Sequence, residues 1–161
     1  MPGLLLPCLL GLAAPAGVVV SVSPAHLLVS MAEVQVEAPV LAHLSVVGIA
    51  GAGRVPASAT DRFAVLELGG QLRAYPLGAA LPGAHLALEA LATRSTQGAR
   101  RALGLGAGLL AGLQLDAQGL VLEANGGLGY RVERSEAADL RLTRSARGLR
   151  PILNINVGYR F

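Results

Sequence analysis

The chain has no tryptophan, a single cysteine and no lysine: all 13 of its basic residues are arginine. One cysteine excludes an internal disulfide framework and a cysteine-based zinc site. Charge is scarce, at 14% of 161 residues, and the aromatics amount to three Tyr and two Phe. So thinly charged a chain lacks the solvated surface of most soluble domains. At 53% hydrophobic it is also too apolar to be disordered. Its length suits one domain. Glycine is plentiful, at 21 residues, and the net charge is +3. The composition points toward lipid.

Only the N-terminus, MPGLLLPCLLGLAAPAGVVV, is apolar over about the length of a membrane-crossing helix. Pro7 and Pro15 interrupt it, and Ala14-Pro15-Ala16 is a small-x-small cleavage pattern. The expectation is a signal peptide over residues 1–16 and a single domain over 17–161. Cys8 follows Pro7 rather than the small residue of a lipoprotein site, so it is expected to leave with the leader.

After Gly17 the pattern has period two. In PILNINVGYRF, Leu153, Ile155, Val157, Tyr159 and Phe161 alternate with Ile152, Asn154, Asn156, Gly158 and Arg160. GLVLEANGGLGYRVE sets Leu120, Leu122, Leu128, Tyr130 and Val132 against Glu123, Asn125, Gly127, Gly129, Arg131 and Glu133. In ALGLGAGLLAGLQL, glycines and Gln114 oppose Leu105, Leu109, Leu113 and Leu115. That stretch is short for a helical span, so strand is the better reading. Turn residues at Pro39, Pro76–Gly83 and Asp116–Gly119 divide the chain. Strands are expected at 18–29, 32–38, 42–53, 62–75, 84–95, 102–115, 119–133 and 151–161, with a reversal near Ser30 and Met31. Longer polar loops are expected at Arg54–Asp61, Thr96–Arg101 and Arg134–Arg150.

Short turns alternating with longer loops suit an all-β, eight-stranded antiparallel transmembrane β-barrel, a meander. A lipocalin-like barrel would instead need a charge-rich exterior. Here Glu33, Glu37, Glu67, Arg73, Glu89, Glu123, Arg131 and Arg160 share the polar parity of their strands. Facing lipid, each would cost roughly 2–4 kcal/mol near the midplane for Arg and less for Glu, so they are expected to point into the lumen and pair there.

No G-x-G-x-x-G, P-loop, G-x-S-x-G or H-E-x-x-H motif occurs, and His26, His43 and His85 lack metal-ligand spacing. No enzyme activity, cofactor or metal is expected. Ten of the 13 arginines fall in or beside the three longer loops: Arg54, Arg62, Arg94, Arg100, Arg101, Arg134, Arg141, Arg144, Arg147 and Arg150. Guanidinium forks suit phosphate oxygens. Arg141, Arg144 and Arg147 are therefore expected to meet lipopolysaccharide at the cell surface. Base-stacking aromatics are not interleaved with them, which argues against nucleic acid.

Several blocks, in order, resemble a family of small outer-membrane β-barrel proteins of unknown function. They are Val34-Gln-Val-Glu37 before a turn, and Leu72-Arg-Ala-Tyr75-Pro76-Leu-Gly78 followed by Gly83-Ala-His-Leu-Ala-Leu-Glu89. The glycine-rich strand at 102–115, the GLVLEANGGLGY strand and the closing Pro151–Phe161 strand complete the set. The resemblance implies the fold and the outer-membrane compartment, without a substrate. Tyr159 and Phe161 resemble the C-terminal signal read by the outer-membrane assembly machinery. The chain departs from the family in its few aromatics, which leaves thin interfacial girdles. The expected role is structural or surface-interacting, as a monomer in the outer membrane. A narrow solute channel and a lipid A-modifying enzyme are the alternatives.

Overall fold

Strands alternating small or polar residues with Leu and Val form wherever one face can be buried and the other left apolar. The computed structural model describes residues 17–56, 62–78, 82–98, 100–137 and 140–161, and of 135–146 the backbone only. The expected signal peptide lies outside the described residues, as do Asp61 and Asp139. The strands are β1 (Val19–Val22), β2 (Met31–Leu41), β3 (Leu44–Pro56), β4 (Arg62–Ala74), β5 (Gly83–Gln97), β6 (Arg100–Ala117), β7 (Leu120–Ala137) and β8 (Leu140–Arg160). A short helix, α1 (Pro24–Leu28), joins β1 to β2. Each strand pairs antiparallel with the next, and β1 closes on β8, giving the expected eight-stranded antiparallel barrel.

The register defines the closure. From Arg147 a row of partners runs through Val132, Leu105, Ala92, Leu68, Ala50, Val34 and Val22 to Val157. It returns to β8 ten residues from its start, and this stagger tilts the strands. The β2–β3 and β6–β7 turns share one end with residues 17 and 161, here called the near end. At Gln118 and Gly119 both φ values are positive, 56° and 90°, as a two-residue hairpin turn requires. The amide of Gly119 donates to Asp116 Oδ1 at 3.1 Å.

Three local expectations are corrected. The strand expected over 18–29 stops at Val22, because Ser23-Pro24 starts α1 and proline suits the first turn of a helix. The reversal itself falls at Ser30, with φ of 60°, immediately before β2. β2 passes through Pro39 with a register shift between Pro39 and Leu41, and the turn follows at 42–43. The loops expected at Thr96–Arg101 and Arg134–Arg150 are mostly strand: Thr96 pairs Arg101, and Arg134 pairs Ser145. Polar sequence there reflects surroundings rather than backbone state, since ladder bonds form with any alternating pair that twists alike.

Alternation decides which side each residue faces. Inside, polar side chains dominate: Glu33, Gln35, Glu37, Gln71, Arg73, His85, Glu89, Gln114, Glu123, Asn125 and Asn156 are buried. The apolar core is confined to a few residues, with Val19, Tyr75 and Val121 forming one cluster. Outside stand exposed leucines and valines such as Leu68, Leu88, Leu105, Leu109, Leu122 and Leu128. Among the described residues no helix is long and apolar enough to cross a membrane, which says nothing of crossing by strands.

Candidate functional site

Three groups of side chains stand out: a charged cluster filling the near half of the lumen, a cavity beyond it, and arginines on the outer wall at the far end.

The cluster centres on Arg73 of β4, almost wholly buried. Its Nη1 donates to Glu37 Oε2 of β2 and to Glu123 Oε2 of β7, both at 2.7 Å. Nη2 donates to Glu123 Oε1 at 2.8 Å, making the contact with Glu123 two-pronged, and Nε donates to Gln71 Oε1 at 2.8 Å. Glu37 also accepts from Gln114 Nε2 at 3.1 Å, from the Tyr75 hydroxyl at 2.6 Å, and from Ser45 Oγ. Glu123 accepts from Asn125, and from Asn156 Nδ2 at 3.1 Å. Gln71 Nε2 extends the set to Glu89 Oε2 at 2.7 Å. Members come from β2, β3, β4, β5, β6, β7 and β8, so the bonds cross the lumen rather than run along the wall.

Two carboxylates and one guanidinium leave this cluster with an excess of negative charge. Hydrogen bonds from Tyr75, Gln114, Ser45, Asn125 and Asn156 supply the additional donors a buried carboxylate needs. Tyr75 lies just beyond the end of β4. Burial, and then the adjacent Glu37 carboxylate, push its phenol above its ordinary pKa, so it stays protonated and donates.

Beyond the cluster lies a cavity of about 270 Å³. Its lining includes His26 of α1, Glu33, Glu67 and Glu89, with Arg131 and Arg150 facing them from β7 and β8. His26 Nδ1 lies 2.7 Å from Glu33 Oε2, and Gln35 Nε2 donates to Glu33 Oε1 at 2.9 Å. Arg131 Nη2 donates to Thr93 Oγ1 at 2.6 Å and sits 3.7 Å from Glu133. His26 therefore has a carboxylate beside it, and the Thr93 hydroxyl in the same lining accepts from Arg131. Among the described residues no group of three or more His, Cys, Asp or Glu is arranged to hold a metal.

The eight inward-facing charges expected from parity thus separate into four groups. Glu37, Arg73, Glu89 and Glu123 join one network; Glu33 and Glu67 line the cavity. Arg131 stands at the far end with Thr93, and Arg160 pairs with Asp116 at 3.0 Å near the opposite end. Sequence reasoning left out Tyr75, Gln35, Gln71, Gln114 and Ser45 as network members. Tyr75 was legible in principle, since it shares the parity of Arg73, two residues earlier. The close approach of His85 to β6 also depends on a glycine: a Cβ at Gly112 would lie 2.6 Å from His85 Nε2.

Of the arginines, Arg54, Arg62, Arg94, Arg101, Arg134 and Arg147 are exposed and alternate with inward-facing neighbours, so they lie on the outer wall. They occupy six consecutive strands, β3 to β8, all at the far end. Arg73 and Arg160, the arginines toward the near end, both point inward. Arg141 and Arg144 fall on β8 among residues whose side chains lie outside the described set. At the near end Tyr159 and Phe161 are exposed and meet edge to face, with ring centroids 5.3 Å apart. Comparison with family models, curated proteins and solved structures finds no match, so the geometry alone carries the functional argument.

Proposed function

We propose that the protein is a small bacterial outer-membrane β-barrel with a structural or surface-interacting role, its arginine-rich far end set against lipopolysaccharide. One observation carries the reading: a continuous apolar outer wall is bounded at one end only by outward-facing arginines on six neighbouring strands. In water such a wall would be a large exposed apolar patch, which monomeric soluble proteins rarely carry. In a bilayer it matches lipid, and the arginines meet head-group phosphates. About 9–11 tilted residues per strand suffice to cross a bilayer, so β6, β7 and β8, at 18, 18 and 21 residues, project beyond it and carry their arginines with them.

Isolated surface charges contribute little, but several guanidinium forks over a polyanionic surface act together and weaken with salt. Changing Arg141, Arg144 and Arg147 to Gln, or Arg54, Arg94 and Arg101 to Gln, is expected to lower lipopolysaccharide binding at low salt while the barrel stays folded. Each triple variant is compared with the parent at two salt concentrations. Binding equal to the parent in both, or far-end labelling only by periplasmic probes, removes the surface-interaction role. The network disfavours the channel reading, because Arg73 and its buried partners are hydrogen-bonded across the near half of the lumen.

A further inference from the structure

The barrel wall is uneven. β8 has 21 residues and β1 only 4, and β1 pairs with β8 at Val157–Arg160 alone. Farther along β8, the side toward β1 faces no strand. α1 stands in that gap between β2 and β8, and Ser23 Oγ donates to the Ile155 carbonyl at 3.3 Å where β1 gives out. The consequence is visible in exposure: Leu149 and Leu153 are 73% and 75% exposed, more than any other strand leucine described. Leu27 and Leu28 of α1 are exposed as well, on the helix that contacts β8. The cavity reaches this gap, since its lining takes in His26 and residues 150–154. Arg73 and its partners bound it toward the near end, which leaves the gap beside α1 as its lateral border.

Its walls are of opposite charge. Glu33, Glu67 and Glu89 project from β2, β4 and β5; Arg131 and Arg150 project from β7 and β8. A cavity of about 270 Å³ lies at the small end of ligand pockets, with room for a polar head group but not for acyl chains. Acidic and basic walls facing each other, beside an apolar lateral gap, define one class of ligand. We infer that the cavity binds the head group of a zwitterionic phospholipid carrying a primary ammonium. The ammonium lies against the glutamates, the phosphate against the two guanidinium forks, and the chains leave over α1 between Leu28 and Leu153. The inference takes only the bilayer, not the leaflet, from the function proposed above, and the recognition itself is testable in detergent.

The test titrates purified barrel in micelles with short-chain phosphatidylethanolamine and, separately, short-chain phosphatidylglycerol, followed by calorimetry, with folding checked by heat-modifiable gel migration. Saturable one-to-one binding of phosphatidylethanolamine is expected, with phosphatidylglycerol weaker by about tenfold. Arg150→Gln is expected to weaken phosphatidylethanolamine binding by about tenfold, through the lost charge-assisted contact. Glu67→Gln acts in the same direction, and Glu89→Gln replaces it should that variant not fold. Arg147→Gln, on the outer wall, is expected to leave the titration unchanged. Equal binding of the two lipids, equal losses for Arg150→Gln and Arg147→Gln, or no saturable binding overturns the inference. Loss of lipopolysaccharide binding through the outer arginines is measured separately, so failure there strikes the proposed function and not this site.

Discussion

Arg73 is among the largest fully buried side chains of the described residues, and it ties strands together across the near half of the lumen. Burying a guanidinium and two carboxylates is unfavourable unless nearly every donor and acceptor is satisfied, and here neighbouring amides and hydroxyls do that. Taking away one partner is worse than never having built the cluster. Arg73→Ala is expected to leave Glu37 and Glu123 as uncompensated buried charges, lowering stability by about 3–5 kcal/mol in urea unfolding of the purified barrel. A loss below about 1 kcal/mol would mean that water reaches both carboxylates. Sequence parity was enough to turn Arg73 inward. It could not name Glu37 and Glu123, which lie 36 and 50 positions away, as its partners.

Among the strands, β7 gives the cleanest comparison of the two faces, because Leu122 is exposed on the wall and Asn125 is buried in the lumen. Leu122→Arg is expected to cost roughly 2–4 kcal/mol if it lies near the bilayer midplane, and to reduce folded protein sharply. Asn125→Arg, next to Glu123, is expected to be tolerated better; equal loss for both, read by heat-modifiable migration from outer-membrane extracts, rejects the assignment of faces. β8 offers a second element-scale prediction. Deleting Phe161 or changing it to Ser removes the ring that packs on Tyr159 at the exposed end of the wall. Insertion in cells is expected to fall more than the unfolding midpoint of barrel already folded, since an assembly signal acts before folding is complete. Normal surface levels of the truncated protein would exclude that role. β1 shows where element-scale reading fell short. VVVSVSPAHLLVS alternates only weakly, and Ser23-Pro24 suits a helix start as well as a bend, so the helix in the gap was hidden by an acceptable strand pattern.

At the scale of the whole molecule, eight strands enclose a lumen just wide enough for side chains to fill. Across the near half they fill it with hydrogen-bonded charge. The intact protein is accordingly expected to give no stepwise current in planar bilayers, and steady single-channel openings would restore the channel reading. The number of strands, their antiparallel order and the sidedness of nearly every residue were determined by the sequence, because a period of two permits only one apolar face and turn residues mark where the chain reverses. The same periodicity sent the glutamates inward and exposed the leucines. Three features were decided only by the tertiary structure: the extension of β6, β7 and β8 through polar segments, the cluster about Arg73, and the lateral gap that α1 occupies. Each depends on the ten-residue stagger of closure and on which strands come to face one another across the lumen. Those relations are set by residues far apart in the chain, where local alternation carries no information.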